Sequence, residues 1–158
     1  MAKPYREADM GTIISEEEKN EELSYILGIK KEEKINSLLI DQLIRKGFST
    51  SVGDRIKSRL NITDAELIKV AGVSGRTFQR KRSENKKFSS LVSDRIFRII
   101  HIWIFATQVF EDNKRASDWM HKPQIGLGGR VPMDLLQTEA GEKAVEDLLG
   151  RIEYSVIS

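Results

Sequence analysis

Apolar residues along this chain recur at helical spacing, and no stretch sustains the period-two alternation of a half-buried strand. Ser15 with Glu18 three residues on makes a capping box that opens an acidic helix. Ahead of it, residues 1–15 carry Pro4 and Gly11 with little periodicity and read as mobile. Ile35, Leu38, Leu39, Gln42 and Leu43 then mark one face of a second helix over about 32–46, which Gly47 closes. No Asn-Gly or Asp-Gly hairpin turn occurs. The pattern predicts an all-α chain.

The centre is more specific. Thr63 and Glu66 form another capping box, opening a short helix with Ala65, Leu67, Ile68 and Ala71 inward. Gly72 supplies a tight turn, and Ser74 caps the next helix with Val73 and Phe78 at the positions of a hydrophobic staple. Two short helices joined by a glycine turn, the second rich in arginine, are the signature of a helix-turn-helix. With Phe78 inward, about 100° per residue puts Arg76, Gln79, Arg80 and Ser83 on the outer side, within reach of base edges. Thr77 and Arg82 complete the expected reading set, and Lys86 and Lys87 suit phosphates.

A long helix follows from Ser89 or Ser90 to about Phe110, with Leu91, Val92, Ile96, Ile99, Ile100, Trp103 and Val109 as a wide apolar stripe. Such width implies cover on more than one side, from both flanking helix groups or from a second copy in a dimer. Asp112 caps a short helix through Trp119 and Met120, ended by Pro123. After a glycine-rich stretch, Pro132 stands at a first helical position. Thr138 caps a last helix carrying Ala144, Val145, Leu148, Leu149 and Ile152.

Charge divides the chain. Residues 1–29 hold three basic and seven acidic residues, and 30–44 balance at three each. Residues 45–101 hold fourteen basic and five acidic, a net of +9, while 102–158 hold six and nine, a net of −3. A basic middle between acidic flanks suits a nucleic-acid-binding segment with a second task beside it. Cysteine is absent, so disulfides, thiolate nucleophiles and cysteine zinc sites are excluded, which agrees with a cytoplasmic protein. The N-terminus shows no apolar core of a signal peptide, and the run Ile99 to Phe110 is too short to span a bilayer.

Gly126 and Gly128 fit the first two positions of a dinucleotide fingerprint, but Val131 stands at the third and a helix precedes them where a strand is needed. No phosphate-binding loop of the G-x-x-x-x-G-K-[ST] kind exists. The stretch reads as a turn. His101 and His121 read as helix-face and surface residues, Trp103 and Trp119 as core, and the carboxylates as caps and solvated faces. No catalytic residue, cofactor or metal is expected.

The C-terminal residues carry a further pattern: Ala116, Trp119, Met120 and Pro123, then Leu127-Gly128-Gly129, Pro132, Asp134-Leu135-Leu136, Thr138, Gly141 and Val145. It ends near Leu149-Gly150-Arg151-Ile152, and Ser93-Asp94-Arg95 and Val73-Ser74-x-Arg76-Thr77 accompany it upstream. This resembles the Xre/MbcA/ParS toxin-binding family of antitoxins over about residues 45–155. The resemblance implies a type II antitoxin that silences a RES-domain toxin, a family tied to NAD chemistry, and represses its own promoter DNA. It implies an Xre-like helix-turn-helix core over 47–110 and a small helical toxin-binding domain over 111–158; charge and helix pattern place an acidic and amphipathic helical region over 1–46 before them. The implied toxin contacts are Trp119, Leu127, Gly128, Gly129, Arg130, Pro132, Met133, Leu135 and Leu136. The tail Tyr154, Ser155, Val156, Ile157 and Ser158 joins them as a mobile plug for the toxin's entrance. A homodimer, or a higher complex with the toxin, is the expected assembly. The alternative is a plain helix-turn-helix regulator whose C-terminal helices dimerise or bind a ligand.

Overall fold

A computed structural model describes residues 15–157, with side chains through Ser155. The mobile stretch expected before Ser15, and the side chains of Val156, Ile157 and Ser158, lie outside the described residues. Within them every regular element is helical, and the one β-type pairing is an isolated bridge between Gln124 and Arg130.

Helix α1, Glu16–Leu27, opens on the expected box: Ser15 Oγ accepts from the Glu18 backbone N–H at 3.1 Å, and Glu18 accepts from the Ser15 N–H at 2.7 Å. Helix α2, Ser37–Lys46, starts about five residues later than its periodicity suggests. Asn36 takes the cap, its Oδ1 accepting from the Leu39 N–H at 2.9 Å, while residues 31–33 form a turn. The buried side also differs: Leu38 is 75% exposed and Gln42 exposed, whereas Leu43 and Ile44 pack on the core.

Helix α3, Thr50–Leu60, is one the hydrophobic pattern leaves blank. Its apolar content is a single row, Val52, Ile56 and Leu60, and Gly53 sits mid-helix. That glycine lets α3 close on α4: a Cβ there would come within 3.2 Å of Leu67 Cδ2. Helices α4, Asp64–Ala71, and α5, Gly75–Ser83, flank a turn at Gly72, whose φ of 69° favours glycine. Leu67, Val70 and Ala71 face inward, but Ala65, expected there, is exposed. Val73 packs on the core and Phe78 is fully buried, as the staple requires.

Helix α6, Ser90–Phe110, is the central strut, packed against α2, α3 and α4 on the N-terminal side. On the other side it meets α7, Asn113–Met120, and α9, Glu139–Ile157. Both faces of its apolar stripe are therefore covered within one chain, so stripe width is no argument for a dimer. Leu91, expected in the stripe, is 59% exposed at the helix start. Between α7 and α9 lie a 3₁₀ turn, Ile125–Leu127, and the short α8, Pro132–Leu135, with Pro132 at its first position as expected. The Gly141 N–H donates to Thr138 Oγ1 at 3.0 Å, and Val145 and Leu149 of α9 are buried. The tail read as mobile instead continues α9 as far as Ile157.

Candidate functional site

Helix α5, expected to read DNA, is held from below. Phe78 is buried and stacks on Phe88 with ring centroids 5.6 Å apart, and the Phe88 N–H donates to the Phe48 carbonyl at 2.9 Å. Ser74 Oγ accepts from the Thr77 N–H at 3.1 Å and satisfies one of the free donors at the helix start. On that mount Arg76, Gln79, Arg80 and Ser83 are all exposed. Arg76, Arg80 and Lys87 form no ion pair among the described residues, so their charges are available to a partner. Lys86 is less free, 2.8 Å from Glu84.

Two of the expected readers do other work. Thr77 is half-buried, its hydroxyl accepting from Ser74 Oγ at 2.9 Å. Arg82 turns back from the outer face, its guanidinium 5.1 Å from the Phe78 ring centroid. It pairs with Asp54 of α3 and lies 3.8 Å from Asp64 of α4. Lys57 joins the cluster, bonding to Asp64 and lying 3.5 Å from Asp54. Four charges thus tie α3, α4 and α5 together. The hydrogen bond from Lys57, helped by the charges of Lys57 and Arg82, holds the Asp64 carboxyl below its usual range.

The Ser93-Asp94-Arg95 triplet of the sequence pattern works on the same mount. Ser93 is buried, its Oγ accepting from the Phe48 N–H at 2.8 Å, and Asp94 pairs with Arg98 at 2.9 Å. Arg95 donates to the Ala71 carbonyl at 3.2 Å, beside Gly72, where any Cβ would overlap its guanidinium. The turn glycine therefore leaves room for the arginine that caps α4.

In the C-terminal part the glycine stretch is a turn, as the sequence reading has it. Gly128 and Gly129 have φ of 65° and 79°, and the Gly129 N–H donates to the Gln124 carbonyl at 2.9 Å. Gly128, Gly129 and Arg130 are exposed, and Ile125 beside them is 98% exposed. Leu127 packs partly on the core. Pro132, Met133, Leu135 and Leu136, proposed as contacts, are instead buried inside this chain. They anchor α8 under α9. Trp119 is half-buried against Phe110 at 5.6 Å. Of the tail, Tyr154 is 75% exposed and Ser155 exposed.

Sequence reasoning misses an open groove of about 880 Å³ between the glycine turn and the first turns of α9. Gly126 and Gly141 shape it by close approach: a Cβ on Gly141 would overlap the Leu135 carbonyl, and one on Gly126 would meet Leu148. Arg130 and Arg151 line it.

A polar seam joins the two halves. Ser117 Oγ donates to the Leu60 carbonyl at 2.7 Å, and Lys69 pairs with Asp134 at 2.9 Å. His121 lies 2.6 Å from the Ser117 carbonyl and 3.1 Å from Glu66, the capping residue of α4. His101 is 3.1 Å from Glu142 and stacks on Phe97. Both histidines thus make tertiary contacts. No group of three metal-ligating side chains occurs among the described residues, and none of their helices is long and apolar enough to cross a membrane.

A helix-turn-helix core carrying a second helical part with its own exposed turn and groove is the architecture of a two-part, all-helical protein. Comparison with known proteins specifies the class. Residues 40–101 match the antitoxin Xre-like helix-turn-helix domain, and residues 105–154 match the antitoxin Xre/MbcA/ParS C-terminal toxin-binding domain. The antitoxin Xre of Yersinia enterocolitica is 37% identical over 77% of this chain and 82% of its own length. That of Photorhabdus laumondii is 30% identical over 75% and 81%. A Sphingobium protein named Prs ADP-ribosylating antitoxin is 23% identical over 70% and 76%. The chain belongs to the Xre family of type II antitoxins.

Proposed function

We propose that this antitoxin binds and inhibits a RES-domain toxin acting on NAD, and that it represses its own promoter through α5. It acts in the cytoplasm, by binding rather than catalysis. Residues 47–110 carry DNA recognition, residues 111–158 carry the toxin contact, and the N-terminal helical region to residue 46 supports the first. The observation that carries the DNA reading is the sorting of charge on α5: Arg76 and Arg80 stay free and exposed, while Arg82 is committed to the mount. Rigid presentation of a few long donors is what direct readout of base edges needs. The toxin reading rests on the matched C-terminal domain and on the resemblance to antitoxins of RES toxins. A relative named for ADP-ribosylation is consistent with NAD-linked chemistry around such systems. Two copies bind the operator, because paired half-sites take paired recognition helices.

The Arg76→Ala/Arg80→Ala variant tests the DNA half. Each lost base-reading arginine should cost about 1–3 kcal/mol of promoter affinity and relax base preference locally. Fluorescence anisotropy on the operon's own promoter reads this. Parental affinity in the double variant would refute α5 as the reading helix. NAD turnover by the toxin encoded beside the antitoxin, titrated with the parent chain, tests the other half.

A further inference from the structure

We propose that the groove between the glycine turn and α9 receives an acidic polypeptide segment of the protein partner, held by Arg130 and Arg151. The proposal rests on the reading that the C-terminal part binds a toxin, and it names the chemistry of the contact.

The groove's charges are unevenly committed. Its two carboxylates are occupied within the chain: Asp134 pairs with Lys69 at 2.9 Å, and Asp147 with Lys143 at 3.1 Å. Its two arginines form no ion pair or side-chain hydrogen bond among the described residues. Although residues 102–158 carry a net charge of −3, this groove therefore offers two unpaired guanidinium groups. A planar guanidinium matches a carboxylate with two parallel N–H···O bonds.

The floor admits a chain. Ala140, Gly141 and Ala144 line it, so no long side chain from α9 blocks a backbone from lying close. The same face of α9 runs on in steps of four, three, four and three residues from Ala140 through Ala144, Asp147 and Arg151 to Tyr154. Tyr154 extends that row beyond the groove, and Ile125 stands exposed at the turn beside it. Exposed tyrosine and arginine beside a small-residue floor make the composition typical of binding hot spots. The acidic surroundings disfavour the continuous phosphate charge of a nucleic acid, whereas carboxylates spaced along a peptide meet the arginines without crowding the other acids.

The test uses the full-length chain and the toxin encoded beside it, with binding followed by calorimetry at several salt concentrations. Arg130→Glu/Arg151→Glu should weaken toxin binding about 30-fold or more and flatten its salt dependence. Ala144→Leu, at an exposed floor position, should weaken binding by filling the groove. Thermal melting and promoter affinity should match the parent in both variants. Toxin binding within about threefold of the parent in both would overturn the proposal while leaving toxin recognition itself intact. Failure of the parent chain to bind the toxin would overturn the underlying reading along with it. Loss of self-association in the charge-reversed variant, with toxin binding unchanged, would assign the groove to a second copy and equally overturn the proposal.

Discussion

The two surfaces of this antitoxin are built by opposite means. On α5 the exposed set of Arg76, Gln79 and Arg80 is defined by what is buried behind it: Phe78 stacked on Phe88, with Arg82 folded back onto α3 and α4. Around the glycine turn it is the backbone that sets the surface, through positive φ at Gly128 and Gly129 and the close approach of α9 at Gly141. Side-chain packing gives the first surface its rigidity. The second depends on residues that have no side chain at all. The contrast teaches that mutations should injure the two surfaces through different terms: cavities and lost charges in one, steric overlap and strain in the other.

The largest effect is expected at the mount. Phe78→Ala removes a fully buried ring and should cost about 3–5 kcal/mol in stability. Chemical denaturation would show the midpoint falling, and promoter binding should weaken with it. A loss under 1 kcal/mol would mean that α5 is not anchored through this residue.

Next in size comes a pair of glycine variants that separates overlap from strain. Gly141→Ala would drive a methyl group into the Leu135 carbonyl and should cost about 1–3 kcal/mol. Gly129→Ala meets nothing within 4 Å, so only its positive φ is penalised, by about 1 kcal/mol. Thermal melts of both rank the two costs, and the reverse order would break the account of how the groove is shaped.

How far the sequence foretold this comparison differs between the two surfaces. Caps are local chemistry, and Ser15, Thr63, Ser74, Asp112 and Thr138 all act where their spacing places them. The outward set Arg76, Gln79 and Arg80 follows from one inward residue, Phe78, and helical geometry. Helix α3 stays hidden because one thin apolar row and a mid-helix glycine lower its signal, although Ser49 as a cap and the four-residue spacing of Val52, Ile56 and Leu60 are signals that would find it. Arg82 departs from the outward set because its partners, Asp54 and Asp64, come from other helices. Met133, Leu135 and Leu136 fit a family pattern that does not distinguish contact from core. The groove depends on two segments meeting in space, which periodicity does not report.

A smaller effect is expected from acid. Asp64 titrates below its ordinary value of 3.8, chiefly because Lys57 bonds to it. Its folded value lies under its unfolded one, so its contribution is complete above about pH 3.8 and fades as pH falls through the lower folded value. Asp64→Asn should lower the melting temperature slightly at neutral pH and narrow its gap to the parent in acid. A gap that widens on acidification would contradict the assigned direction.

The central claim is that the chain reads DNA with one part and restrains its toxin with the other. The most direct test measures both activities in two variants: Arg76→Ala/Arg80→Ala, and a chain lacking residues 153–158. Promoter binding by anisotropy is set beside NAD turnover by the toxin encoded next to it. The arginine variant should lose promoter affinity yet inhibit the toxin like the parent. The truncated chain, without Tyr154 and the end of α9, should keep promoter affinity and inhibit less. Parallel loss of both activities in both variants would contradict the division of labour.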